Sequence, residues 1–232
     1  MNQPLGTLEG LYVHPIKSMS SVQLQKVHVS EKGLSNDRRW AVFNKENKMA
    51  SGKNTSRFFN LPGMLDVKVS EATNDTFEIR LPGDKSTRIC SGSVNQTLSR
   101  YFGLPLELRE STNVPFYDDS PIHLIATEDL RRLREIHGSD VSFIRFRPNM
   151  ILKSSHSSNQ LIEKGSFRIE EIKFETISKT KRCRMVTLEQ GELPQDSKLL
   201  RSLVSDKKAC FGIYVKAKAS GAVRIGSPAT LF

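Results

Sequence analysis

Short runs in which apolar and polar residues alternate recur from one end of this chain to the other, separated by turns rich in Gly, Pro and Asn. A period of two is the mark of strands with one face in a core, so the chain is constrained to a largely β architecture. Residues 7–17 read as a strand ending at Pro15. Residues 22–30 alternate through Val22 and Leu24, then Val27 and Val29, and the change of face predicts a bulge. A turn at residues 31–33 precedes a strand over 39–44, and residues 65–70 and 76–81 form a hairpin around the turn 71–75. Residues 104–109, 121–126, 166–177, 210–217 and 222–232 carry further β pattern, the last around a turn at Gly226.

Helical spacing interrupts this pattern. Val94, Leu98, Tyr101 and Phe102 fall at i, i+4, i+7 and i+8, with Ser93 as cap and Gly103 as stop, and all four are expected in the core. Thr127 is expected to cap a helix over 128–137, with Glu128 and Asp129 in its first turn. A short helix is expected at 198–203 and a flexible loop at 154–160, while Phe143 and Phe146 pack inward and Pro148 directs the chain into a strand from Met150. The predicted class is β-rich α+β: a β-barrel-like domain at 1–113, then a second β-barrel domain with a few short helices at 114–232. The polar segment 110–119 marks the boundary.

Charge narrows the function. Lys and Arg number 35 against 25 acids, net +10, which favours an anionic partner. The charge is dispersed rather than striped, and Arg131, Arg132 and Arg134 are offset by Glu128, Asp129 and Glu135, so no nucleic-acid partner is expected. No apolar run is long enough to span a bilayer, nothing at the start resembles a signal peptide, and three cysteines fit a reducing compartment; the expected setting is cytoplasmic, with no membrane partner. Three cysteines cannot hold a four-cysteine cluster, no Cys-x-x-Cys pair suggests zinc, and no Gly-rich dinucleotide fingerprint follows a strand.

Cys183, between Arg182 and Arg184, has the local charge that favours a nucleophilic or metal-ligating thiolate. Cys90 and Cys210 are expected to be inert, buried thiols. Four further pieces place a cation where strand meets loop: Pro15-Ile16-Lys17-Ser18, Asn36-Asp37-Arg38-Arg39-Trp40, Phe146-Arg147-Pro148-Asn149 and Lys181-Arg182-Cys183.

Taken with Thr187-Leu188-Glu189 and Phe211-Gly212-x-Tyr214, these pieces resemble, in order and separation, the MOSC proteins that carry an N-terminal MOSC β-barrel, a group that includes the mitochondrial amidoxime-reducing component and its bacterial relatives. The resemblance covers nearly the whole chain, without the ferredoxin-like extension of some relatives. It implies a molybdenum cofactor, a pterin dithiolene holding molybdenum, with Cys183 as the protein's metal ligand and catalytic residue. It implies that Lys17, Ser18, Arg38, Ser120, Arg147, Asn149, Arg182 and Tyr214 line the pterin and its phosphate; pyridoxal phosphate binding is carried only as a family-level description. The activity implied is reduction of N-hydroxylated small molecules (amidoximes, hydroxylamines, N-hydroxylated bases) with electrons from a separate ferredoxin- or flavoprotein-type donor. The alternative is a module that binds or carries sulfur or the cofactor. Lys181, Val186 and Asp119 depart from the family pattern, which bears on the substrate pocket more than on the cofactor site.

Overall fold

A computed structural model describes residues 3–71, 77–83, 86–88 and 92–231. In chain order the first half supplies β1 (Gln3–Val13), β2 (Val22–Gln23), β3 (Lys26–Ser30), β4 (Gly33–Leu34), β5 (Trp40–Phe43), β6 (Met49–Ser51), β7 (Phe58–Asn60), β8 (Lys68–Glu71), β9 (Phe77–Arg80), β10 (Ser86–Arg88), α1 (Val94–Phe102) and β11 (Glu107–Glu110). The second half supplies β12 (Ile122–Ala126), α2 (Thr127–His137), β13 (Met150–Lys153), α3 (Ser158–Lys164), β14 (Ser166–Ile169), β15 (Ile172–Lys181), α4 (Leu199–Lys207), β16 (Cys210–Ala217), β17 (Gly221–Arg224) and β18 (Pro228–Leu231). The fold is β-rich α+β, as the alternation requires.

Seven strands close into a barrel in the order β13-β12-β16-β15-β14-β18-β1, and β1 completes the ring by pairing antiparallel with β13. Closure removes free edges and gives every strand one face to bury. Leu8, Leu11, Leu124, Met150, Leu152, Phe167, Phe174 and Ile213 fill the interior, each fully buried. At roughly 1.5–3 kcal/mol per buried large apolar side chain, this interior is the main stabilising element. Strand pairing crosses residue 113: β1 lies between β13 and β18, and β17 pairs with β3.

The first half otherwise forms two small sheets, β11-β5-β6-β7 and β10-β9-β8, over a second core that includes Trp40, Val42, Met64, Val69, Ile79 and Leu98. A parallel bridge between Ile16 and Trp40 ties this core to the end of β1. Among the described residues no helix is long and apolar enough to cross a membrane.

Several local expectations need correction. The change of face after Leu24 is a break: β2 pairs with β1 while β3 turns to β17 and β4. Thr127 is the first residue of α2 and not its cap, because its hydroxyl is used across the fold, donating to the Ser154 carbonyl and accepting from the Ser154 amide. The expected loop 154–160 runs into α3, started by a capping box in which Ser157 and Gln160 satisfy each other's backbone amides. Tyr101 is 41% exposed rather than core, since α1 turns only Val94 and Leu98 fully inward. Cys210 is half-buried with its thiol toward the Lys208 carbonyl, not a sealed core thiol. Cys90 and the turn 72–75 lie outside the described residues.

Candidate functional site

The end of β1 and the loop before β5 are locked together. The Arg38 amide donates to the His14 carbonyl, the Lys17 amide to the Trp40 carbonyl, and the Asp37 carboxylate accepts from the His14 amide at 2.7 Å. Ser18 (φ 66°) and Arg38 (φ 49°) both adopt left-handed backbone, a conformation uncommon for residues other than Gly, Asn and Asp. The surrounding hydrogen bonds hold them there, which turns both side chains toward the gap between the two halves.

Across that gap the short turn after Phe143 ends at Arg147, again left-handed (φ 52°). Pro148 follows, and Asn149, 1% exposed, then acts as the hub. Its side-chain carbonyl accepts from the His123 amide at 3.1 Å and from Arg38 at 3.3 Å, while its amide donates to the Tyr12 carbonyl at 3.2 Å. One side chain thus joins β1, β12 and the Arg38 loop.

β15 and β16 supply the third wall. Arg182 donates to the Phe146 carbonyl at 2.6 Å, its backbone amide donates to the Ala209 carbonyl, and its guanidinium lies over the Phe146 ring. Cys183 follows at the point where the chain leaves β15, with its side chain exposed. Tyr214 stands beside His123, ring centroids 5.8 Å apart. Gly212 (φ 75°) is required here: a Cβ would come within 2.4 Å of His123 Nε2 and 2.7 Å of the Leu124 carbonyl oxygen.

These walls enclose a cleft of about 380 Å³. Lys17, Ser18, Arg38, Ser120, Arg147, Asn149, Arg182, Cys183 and Tyr214, the nine site residues expected from the sequence, all line it. So do the three departures, Asp119, Lys181 and Val186.

The cleft is strongly cationic. Lys17, Arg38, Lys53, Arg145, Arg147, Lys179, Lys181 and Arg182 face it against Asp118 and Asp119. Part of that charge is compensated: Asp37 holds Arg38, Asp118 holds Lys17 at 2.8 Å, and Arg145 donates to the carbonyls of Leu188 and Pro194 at 3.1 and 2.5 Å. By contrast, buried Arg147 Nη2 and Arg182 Nε have no hydrogen-bond partner among the described residues. Leaving such donors unmet is costly, and an anion in the cleft would relieve it.

Titration behaviour carries the same imprint. Burial, then Arg38, pushes the Arg147 guanidinium below its ordinary range, and burial does the same to Arg182. Burial lowers Lys17 to about 8; Asp118 opposes this, and Arg38 and Arg147 add to it. His14 is driven down to about 3 by burial, Arg147 and Arg38, and burial and then Arg182 lower His123, so both imidazoles are neutral. Burial alone would raise Asp37, but Arg38 and His14 outweigh it and hold the carboxyl at about 2. Burial raises the Tyr214 phenol against the pull of Arg182 and Arg38.

Residues 111–230 match the MOSC domain, and residues 5–110 match the MOSC N-terminal beta barrel domain. The chain belongs to the MOSC family. Among its MOSC relatives, the human molybdenum cofactor sulfurase is 24% identical over 275 residues, covering 90% of this chain and 31% of that protein. Mitochondrial amidoxime reducing component 2 from Rattus norvegicus is 22% identical over 286 residues, covering 97% of this chain and 83% of that protein. The chain therefore spans about a third of the length of the human sulfurase and most of the length of the reducing component. The crystal structure of the YuaD protein from Bacillus subtilis, 16% identical, superposes with a TM-score of 0.55 over 99% of this chain and 97% of that one, a likeness of fold.

The sequence did not single out His14, His123, Asp118, Arg145 or Lys179. His14 and His123 sit inside strand patterns, where an imidazole gives no sign of its neighbours. Asp118 had a signal: two adjacent acids in the segment 110–119 of a strongly basic chain.

Proposed function

We propose that this MOSC protein binds a molybdenum cofactor in the cleft and reduces N-hydroxylated small molecules with electrons from a separate protein donor. The observation that carries the reading is the convergence of Arg38, Arg147 and Arg182, distant in sequence, on one cleft beside Cys183, with buried guanidinium N–H groups left unmatched. That donor set fits a phosphate-bearing pterin, because planar guanidinium forks pair with phosphate oxygens. In this reading Lys17, Ser18, Arg38, Arg147, Asn149 and Arg182 hold the pterin and its phosphate, with Ser120 and Tyr214 at its edge, and the Cys183 sulfur is the ligand to molybdenum, a soft donor suited to such a metal.

When bound, the cofactor supplies the two-electron redox chemistry, and the protein supplies position and electrostatics. Asn149 and Asp37 hold Arg38 rigid, so charge faces the cleft before the ligand arrives and little reorganisation is needed. The Lys17 ammonium, with its pKa near 8, keeps its proton at neutral pH and donates to Asp118 at the cleft wall.

A second reading, a carrier that holds sulfur or the cofactor on Cys183 for delivery, draws support from the sulfurase relatives and from the exposure of that thiol. One preparation separates the two. Protein made in a host competent for the cofactor should contain molybdenum and pterin and reduce benzamidoxime with reduced methyl viologen, but not with NADH alone. Bound molybdenum with no turnover of any N-hydroxylated compound would favour the carrier; turnover with NADH alone in a homogeneous preparation would remove the separate donor.

A further inference from the structure

Cations that the cofactor reading does not use remain at the mouth of the cleft. Lys179 and Lys181 leave the end of β15 on the side that lines the cleft, while Thr180 between them turns inward and is buried. Both lysines are exposed, and neither is paired with a carboxylate among the described residues. Of the two acids in the cleft, Asp118 is already held by Lys17 at 2.8 Å and faces Lys53 at 4.0 Å. Asp119 also lines the cleft but forms no ion pair with either lysine among the described residues. The rim two and four residues before Cys183 is thus a region of uncompensated positive charge, beside the position where a reacting group would sit.

Exposed lysines by themselves are ordinary. What distinguishes this pair is convergence: both face the same cleft, next to the same thiol, beyond a floor whose arginines already match one anion. Two such charges attract a second anionic group and disfavour a cationic one.

Resting on the reductase reading, we propose that Lys179 and Lys181 select the substrate, and that the preferred N-hydroxylated compounds carry an anionic substituent such as a carboxylate or phosphate. The pair acts on binding, not on the bond being broken, so the selectivity belongs to substrate capture. Two ammonium groups about 6 Å from the anion, in a water-like dielectric, each favour it about threefold, or about tenfold together.

Competition in one tube tests this, because both substrates then share one electron donor. Benzamidoxime is mixed with 4-carboxybenzamidoxime and, separately, with its 4-trimethylammonio analogue, and product ratios give relative kcat/KM. Calorimetric titration of the same compounds, without an electron donor, gives a readout independent of turnover. The wild type should prefer the carboxylate about tenfold over the neutral compound, with the preference shrinking as salt rises. K179Q/K181Q should abolish that preference and K179E/K181E reverse it, with benzamidoxime turnover and pterin content unchanged. Equal use and equal binding of the three compounds by the wild type would overturn the proposal and leave the reductase reading intact. Loss of pterin from the lysine variants would also overturn it, by assigning these lysines to the cofactor. A binding preference for the carboxylate that the variants lose, with no reduction of any N-hydroxylated compound, would leave the selective rim standing and bring down the reductase reading instead.

Discussion

The floor and the rim of the cleft are both cationic, yet they are built on opposite terms. Arg38, Arg147 and Arg182 on the floor are fixed by side-chain or backbone hydrogen bonds to Asp37, Asn149, His14, Ile144 and Ala209, and two of them sit in left-handed backbone. Lys179, Lys181 and Cys183 on the rim are exposed, and the lysine side chains are without carboxylate partners among the described residues. The difference teaches that charge on the floor is part of the fold, paid for by burial, whereas charge on the rim costs the fold almost nothing and is free to vary with the ligand.

The sharpest way to break that distinction is at Cys183. Being exposed, it should contribute under about 0.5 kcal/mol to stability, yet in the proposed function C183A removes the metal ligand. Molybdenum content and benzamidoxime turnover should fall more than about a hundredfold while the denaturant midpoint stays put. Metal retained at wild-type level would overturn the ligand assignment, and a shifted midpoint would place Cys183 with the floor.

On the floor the opposite should hold. N149A removes three hydrogen bonds at once, from His123, from Arg38 and to the Tyr12 carbonyl, leaving buried groups unmatched. The expected loss is about 2–4 kcal/mol of unfolding free energy, measured by urea denaturation before any cofactor is added. A loss below about 0.5 kcal/mol would mean the hub is dispensable.

A further effect is graded with pH. His14 is held at about 3 in the fold, so between about pH 3 and its unfolded value of 6.5 the unfolded chain binds more protons. Stability should rise with pH across that window, and be lost as pH falls from 6.5, by on the order of 1 kcal/mol per pH unit. His123, also lowered, adds to the slope. Asp37, held at about 2, contributes stability above its unfolded value of 3.8 that is lost as pH falls toward 2. Urea midpoints from pH 7 to 4 should decline in the wild type and decline less steeply in H14Q; parallel lines would show that His14 does not titrate as described.

Much of this was legible in the sequence for a definable reason. Strand alternation is local, so β5, β9 and β16 fall where the pattern puts them, and the site landmarks are contiguous pieces such as Arg147-Pro148-Asn149. What escaped depends on distant partners. Nothing near Thr127 reveals that Ser154 takes its hydroxyl, and nothing near His14 reveals that two arginines and Asp37 surround it. The capping box at Ser157 and Gln160 was readable, but the polar run 154–160 around it hid the signal.

The placement of β1 also bears on how the molecule comes into being. Gln3 pairs with Leu231, and the same strand pairs with β13, so the ring cannot shut until its first and last strands have met. Bringing such distant segments together costs loop-closure entropy before the contacts repay it, which puts formation in the slow, milliseconds-to-seconds class of β topologies. The residues of the cleft hang from that ring: Asn149 bonds to β1, and Arg182 and Tyr214 stand on β15 and β16 or just past their ends. A nascent chain that has not yet released the strand ending at Leu231 therefore lacks the closed ring from which the cleft hangs, and a ligand of the cleft should load only once that strand has joined β1.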